Sequence, residues 1–336
     1  MPEGGSAGFT GRAAAGSSPK KGSMCMEPVP SLSVNRPKTK RSSYKNELYG
    51  ILFALPAILG LLIFTLGPMI YSLYMSFTDY SGSNSPTFIG LDNYTRMFSG
   101  EDQYFYKSLG VTLYFVVLSV PTGIIYSFLL AILLNRNIKG KAIFRTVFYL
   151  PSIVPIIAIS FIWLWLLNPD LGLANEMLRA IGLPGSQWIF GEKSVVPSLA
   201  LMNLWTTGGT MIIFLAGLQD IPRSLYEAIE IDGGSKLHKL RNITIPMMTP
   251  TIFFNLIMGI INGFQVFSQA YVMTSGGPNN ASLFYVFYLY REAFQFSRMG
   301  SASAIAWVLF IIIMLLTYMV FKSSKKWVYY EGDEAR

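Results

Sequence analysis

Six stretches of this chain run almost free of charge for about twenty residues or more: Tyr49 to Phe77, Leu109 to Leu134, Thr146 to Leu167, Val195 to Leu218, Met247 to Met273 and Ser301 to Phe321. A helix needs roughly 20 apolar residues to cross a bilayer core. The pattern therefore predicts six transmembrane helices in an all-α polytopic membrane protein. Pro56, Pro68, Pro121, Pro151, Pro155 and Pro250 fall inside these stretches. In a bundle, neighbouring helices satisfy the carbonyls that proline frees, so the stretches are expected to kink there and still span. They are also rich in Gly, Ser and Thr, which lets helix backbones approach closely.

Composition agrees with the pattern. Of 336 residues, 52% are hydrophobic and 13% charged, little more than half the charged share of an ordinary globular domain. A greasy soluble enzyme would interrupt its apolar runs with charge every few residues, so that class is set aside. The charges that remain are sorted by side. Eight Lys and Arg lie in the first tail, and four each lie in 135–145, in the passage around 223–246 and in the last tail; this makes 20 of the 26. The other six share the alternate loops, so the positive-inside rule puts both termini in the cytoplasm. The net charge of +8 is then a topology signal, and no aromatic-interleaved basic face points to nucleic acid as a partner.

The tails read differently from the spans. Residues 1–48 are Gly, Ser, Ala and Pro-rich with basic residues and no periodic apolar pattern, which is the composition of a disordered cytoplasmic tail. No apolar leader core stands at the start, so Tyr49 to Phe77 is expected to be retained as a first span. Met24 and Met26 are alternative starts. The six-helix transmembrane body is expected over 49–321 and a second cytoplasmic tail over 322–336. The single cysteine, Cys25, allows no internal disulfide.

One cytoplasmic passage, 219–246, is too elaborate for a connector. "EAIEIDGGSKLHKLRNITIP" (Glu227 to Pro246) predicts a short helix started near Asp220 and Pro222, a turn at Gly233 and Gly234, and a second short helix capped by Ser235 and ended by Pro246. Ordering such an element costs entropy that a plain loop avoids, so it is expected to dock against something outside the membrane. The alternative is an amphipathic segment lying on lipid. His238, the only histidine, reads as an exposed loop residue.

Tyr226-Glu227-Ala228, Asp232-Gly233 and Ile245-Pro246 together resemble the loop signature of the integral-membrane subunits of ABC importers. Ile229 stands where the signature prefers a second Ala, and Gly234 where sugar-type members commonly carry Ala. "FIGLDNYTRMF" (Phe88 to Phe98), "FLAGLQDIPRSLYEA", "VMTSGGPNNAS" (Val272 to Ser282) and "GSASAIAWVLFIII" are similar to the carbohydrate branch of that family. The resemblance runs from about Tyr49 to the C-terminus, in order and on the sides that the charge count assigns. It implies a permease subunit of a binding-protein-dependent sugar importer in a bacterial inner membrane. It also implies the partners: a second homologous permease, two copies of an ATPase subunit and an extracytoplasmic sugar-binding protein.

The chain itself carries no phosphate-cradling Gly-x-x-x-x-Gly-Lys-Ser/Thr loop, no metal-ligand cluster and no catalytic triad, so neither cofactor nor enzyme activity is expected. An ion-gradient-driven transporter is the alternative, but such proteins place ionisable residues inside their spans and these spans hold almost none. An intramembrane enzyme would need a polar catalytic pair at membrane depth, and the spans offer none.

Three sets of candidate residues follow. Glu227, Ala228, Asp232, Gly233 and Pro246 are expected to couple to the ATPase. Gly276, Gly277 and Pro278, a turn signal beyond the fifth span, are expected to help receive the binding protein, or else only to join helices. For the sugar path, Asn255, Asn262 and Gln269 recur every seven residues with Gln265 between, near one helical face. Asn203, Thr206, Thr207 and Thr210, beside Trp205, do the same on the fourth span. Uncharged amides and hydroxyls beside aromatic rings suit a sugar; alternatively they tie helices together.

Overall fold

The structure is a computed structural model and describes residues 44–329. The tail expected over 1–48, with its alternative starts, lies almost wholly outside the described residues, as does the chain from 330 onward. The chain divides into two units, Met1–Leu59 and Gly60–Arg336. The described residues of the first belong to helix α1, Tyr44–Leu61, which carries Pro56 and has its last two residues in the second.

In the second unit a π turn, Leu62–Leu66, leads into α2, Gly67–Met75, with Pro68 directly after it, where the local π geometry accommodates a residue without an N–H. A two-stranded hairpin, β1 Thr78–Asp79 and β2 Thr87–Phe88, follows, then α3, Asp92–Ser99. Helix α4, Gln103–Asn135, runs 33 residues and is N-capped by Asp102, whose carboxylate accepts from Tyr104 N at 2.9 Å. Pro121 does not break it. The third apolar stretch does break, into α5, Lys141–Ile153, and α6, Ile156–Leu166, bent by 100°. Pro155 disfavours helical backbone at the residue before it, and Val154 is extended with ψ 135°.

Beyond α6 a staple holds the loop around α7, Leu173–Ala180. Asn175, buried, donates to Pro169 O and Ser186 O and accepts from the Trp188 indole at 2.7 Å. The fourth stretch is α8, Val195–Trp205, and α9, Gly208–Asp220, bent by 50°. The Thr206 and Thr207 hydroxyls donate to Asn203 O and Leu204 O at the bend. Gly208 lies there against α5, where a Cβ would come 2.4 Å from Phe148 O.

The 219–246 passage forms α10, Arg223–Ile231, and α11, Lys236–Lys239, and then a π turn, Leu240–Thr244, passes directly into α12, Ile245–Phe264. Two expectations change here. Pro246 does not end a second short helix: it lies in the first turn of α12 but inside one 29-residue helical run, Lys236–Phe264, where the π turn before it accommodates a residue without an N–H. The fifth span does not continue to Met273 as one helix either, because α12 stops at Phe264. A π turn, Ala270–Thr274, follows the gap, then α13, Tyr285–Tyr290, and α14, Met299–Ser324. Among the described residues four helical runs are long and apolar enough to cross a membrane, or six if each bent pair counts as one span.

Helix α4 is the hub, packed against α8, α9, α12 and α13. At one end, buried Tyr285 fixes α13 between two long helices: its N–H donates to the Thr112 hydroxyl at 2.8 Å and its hydroxyl to Ile305 O at 3.0 Å. Tyr288 donates to the Asp102 carboxylate beside it.

Candidate functional site

Glycines bring α4 and α12 together. A Cβ on Gly259 would lie 2.8 Å from Val120 Cγ1, and one on Gly263 would lie 3.0 Å from Val116 Cγ2. Beside this contact a cavity of about 200 Å³ opens between α4, the α8–α9 bend and α12. The bend delivers Asn203, Thr206, Thr207 and Thr210 to its wall, and α12 delivers Asn255 and Asn262. No titratable side chain lines it. Asn255 is buried and spends one amide hydrogen on Thr251 O at 2.8 Å. The arrangement offers many neutral donors and acceptors in a pocket without fixed charge.

Three residues expected on this path are not brought to it. Trp205 stacks edge-on against Trp163, ring centroids 6.0 Å apart, and stands outside the lining. Gln265 caps the end of α12 and is exposed, and Gln269 is buried beyond the break. The seven-residue repeat assumed a continuous helix, and the helical phase is lost at Phe264. Sequence reading also missed α4, which contributes Ser119 and Gly123 to the lining. The signal was there as small residues four apart.

The elbow between α9 and α12 is held by side chains. Glu230 pairs with Lys239, joining α10 to α11, and the Tyr226 hydroxyl meets Thr244 Oγ1 at 3.0 Å. Asp232 caps the C-terminal end of α10, and Gly233 turns the chain with φ 74° and nothing within 4 Å of a would-be Cβ. Glu227 and Ala228 are exposed on α10. His238 is exposed and bonds Asn242 at 2.8 Å. The tip also carries two bare apolar side chains: Ile231 is 87% exposed and Leu237 71%. Large apolar groups held out by a braced elbow are the kind of surface that enters a partner's pocket.

At the opposite end, the Gly276-Gly277-Pro278 turn is packed onto its own protein more than the sequence implied. Gly276 is buried with φ 85°, and a Cβ there would reach Phe287 at 3.0 Å. The Ser282 hydroxyl ties the turn, 2.7 Å from Gly277 O and from Thr274 Oγ1. Asn279 is its exposed tip. Close by, Glu292 is 3% exposed and 3.6 Å from Arg298, and burial raises its carboxyl pKa despite that cation.

Residues 119–328, which hold the elbow and all of the cavity lining except Phe115, match the family described as "Binding-protein-dependent transport system inner membrane component". The chain belongs to that family. It is 41% identical over 301 residues to the probable ABC transporter permease protein YesP of Bacillus subtilis, covering 88% of this chain and 97% of that one. It is 32% identical to the arabinooligosaccharides transport system permease protein AraP of the same organism, over 89% and 95% of the two chains. The trehalose/maltose transport system permease protein MalF of Thermococcus litoralis is 30% identical, over 85% and 97%. Among solved structures, a bacterial ABC transporter involved in import of the acidic polysaccharide alginate superposes with a TM-score of 0.74 at 25% identity, over 84% of this chain and 96% of that one. As a member of this family the chain is a multi-pass membrane transport permease, with the all-α architecture that its apolar pattern predicts.

Proposed function

We propose that this permease forms half of the translocation pathway of an ATP-driven, binding-protein-dependent carbohydrate importer. The observation that carries the reading is the uncharged, hydrogen-bonding cavity where the α8–α9 bend meets α12. Relatives named for arabinooligosaccharides and for trehalose/maltose support the substrate class, and family membership does not favour the ion-gradient alternative. Uptake proceeds by alternating access, with a second homologous permease supplying the facing half of the cavity.

The elbow couples this motion to two ATPase subunits. Glu227, Ala228, Asp232 and Gly233 shape the docking face, with Ile231 and Leu237 as apolar knobs; Pro246 acts from inside α12 by stiffening the root of the elbow. The Gly276-Gly277-Pro278 turn and the Phe88 to Phe98 segment face outward and help receive the sugar-loaded binding protein. A solved complex of the alginate transporter with an alginate pentasaccharide-bound periplasmic protein is the comparison that supports such docking. The membrane is a bacterial inner membrane, with both termini cytoplasmic by the distribution of Lys and Arg.

The test is reconstitution of the chain with its co-isolated subunits in proteoliposomes, supplied with binding protein and labelled maltotriose or arabinotriose. Uptake is expected to require ATP and to survive collapse of the proton gradient. Isolation without any ATPase subunit, or uptake that follows the gradient and ignores ATP, would overturn the proposal.

A further inference from the structure

We infer that Ser119, on α4, supplies a hydrogen bond to the transported solute and so helps set its specificity. The inference rests on reading the cavity as the sugar path, and it adds a third element to the binding wall. Ser119 is 1% exposed, lines the cavity, and its hydroxyl has no hydrogen-bond partner among the described residues.

This is unusual for a hydroxyl in an apolar helix, where back-bonding to a carbonyl of the preceding turn is always within reach. Its neighbours on α4 do just that: Ser108 donates to Phe105 O at 2.9 Å and Thr122 to Leu118 O at 2.5 Å. Thr206 and Thr207, across the cavity, are likewise satisfied by Asn203 O and Leu204 O. An orphaned buried hydroxyl is destabilising, and replacing it with a hydrogen would cost the core nothing. Among the described residues Thr317 on α14 is the other hydroxyl in that state, and of the two only Ser119 lines the cavity, where a partner can come and go.

The place fits such a partner. Ser119 lies one turn from Gly123, and Val120 between them packs against Gly259, so that α4 meets α12 at close range, and Ser119 shares the cavity lining with Asn203 and Asn262. Sugars present hydroxyls that both donate and accept, and serine can answer either role. As the two permease halves part, a solute hydroxyl or the water that precedes it takes the free position.

The test uses the assembled transporter in two arms. In the first, Ser119→Ala is compared with wild type and with Asn262→Leu for uptake of labelled maltotriose and arabinotriose. Loss of one net hydrogen bond, about 0.5–1.5 kcal/mol, is expected to raise the half-saturation concentration roughly two- to tenfold, more than it changes the maximal rate. The melting temperature should hold or rise, since an unsatisfied group is removed; Ser119→Thr, which keeps the hydroxyl, should restore most of the affinity.

The second arm needs no transported sugar. In a Cys25→Ser background, Ser119→Cys and Asn262→Cys are exposed to a small methanethiosulfonate reagent during ATP turnover. Both are expected to react. If Asn262→Cys reacts and Ser119→Cys does not, or Asn262→Leu impairs uptake while Ser119→Ala leaves the half-saturation unchanged, the role of Ser119 is overturned and the cavity reading stands. If neither cysteine reacts, the cavity is not the path and both fall.

Discussion

Ile229 and Gly234 are the two positions where the elbow departs from the ABC-importer loop pattern, and the structure shows that they depart together. A Cβ on Gly234 would stand 2.3 Å from Ile229 Cγ2 and 3.0 Å from Ile229 O. The larger side chain at one position needs the missing one at the other. Gly234→Ala alone is therefore expected to destabilise the elbow by about 1–3 kcal/mol, as overpacking does. Ile229→Ala with Gly234→Ala should recover most of it, because the shorter side chain vacates the space. Melting of the detergent-solubilised transporter, read as a double-mutant cycle, checks the coupling; additive effects would break the pairing. Glu292 makes a second residue-scale prediction. Burial raises its pKa above the ordinary 4.5, so between that value and the raised one the folded chain holds more protons than the unfolded chain, and stability falls as pH rises through the window. Arg298 opposes the shift and Asp102 adds to it. Glu292→Gln should flatten the decline in melting temperature from acidic to neutral pH, and an unchanged slope would remove Glu292 as its source.

At the scale of elements, what sets the site is where helices stop. The bend after Trp205 turns Thr206, Thr207 and Thr210 into one wall, and the glycine seam sets the distance between α4 and α12. Gly259→Val is expected to push these helices apart at Val120, costing about 1–3 kcal/mol and reducing uptake; normal melting and normal uptake together would show that the seam is not a close contact. The elbow is a rigid element in the same sense, braced by the Glu230–Lys239 and Tyr226–Thr244 contacts. Glu227→Gln with Gly233→Val is expected to abolish uptake and ATPase stimulation while the chain still inserts. The valine acts through the backbone, since at φ 74° an L side chain costs about 1–2 kcal/mol even with open space around it. Persistence of both activities would refute docking through this elbow.

At the scale of the whole molecule, the charge bias assigns the elbow to the cytoplasm and the Asn279 turn to the outside. In a Cys25→Ser background, a cysteine at Asn279 should react with an impermeant maleimide on intact cells, and one at Glu227 only after permeabilisation. The reverse result would invert the topology. A photocrosslinker at Asn279 should capture the binding protein; capture of lipid alone would leave the turn a connector.

The apolar runs and the sidedness of Lys and Arg were enough to specify a polytopic helical membrane protein, because a bilayer leaves the backbone few other solutions and each apolar run must find one. The elbow's turn at Gly233 and the polar set at Asn203, Thr206 and Thr210 were legible for the same local reasons. Helical phase was not. Whether α12 continued past Phe264 decided that Gln265 and Gln269 miss the cavity, and whether Pro246 ended a helix or opened one depended on the π turn before it. Nor could sequence show that α4 supplies Ser119, that Trp205 turns to Trp163, or that Gly234 answers Ile229. Each of these is a contact between positions brought together by packing, and which side chains share a cavity follows from the close approach of helices that are far apart in the chain.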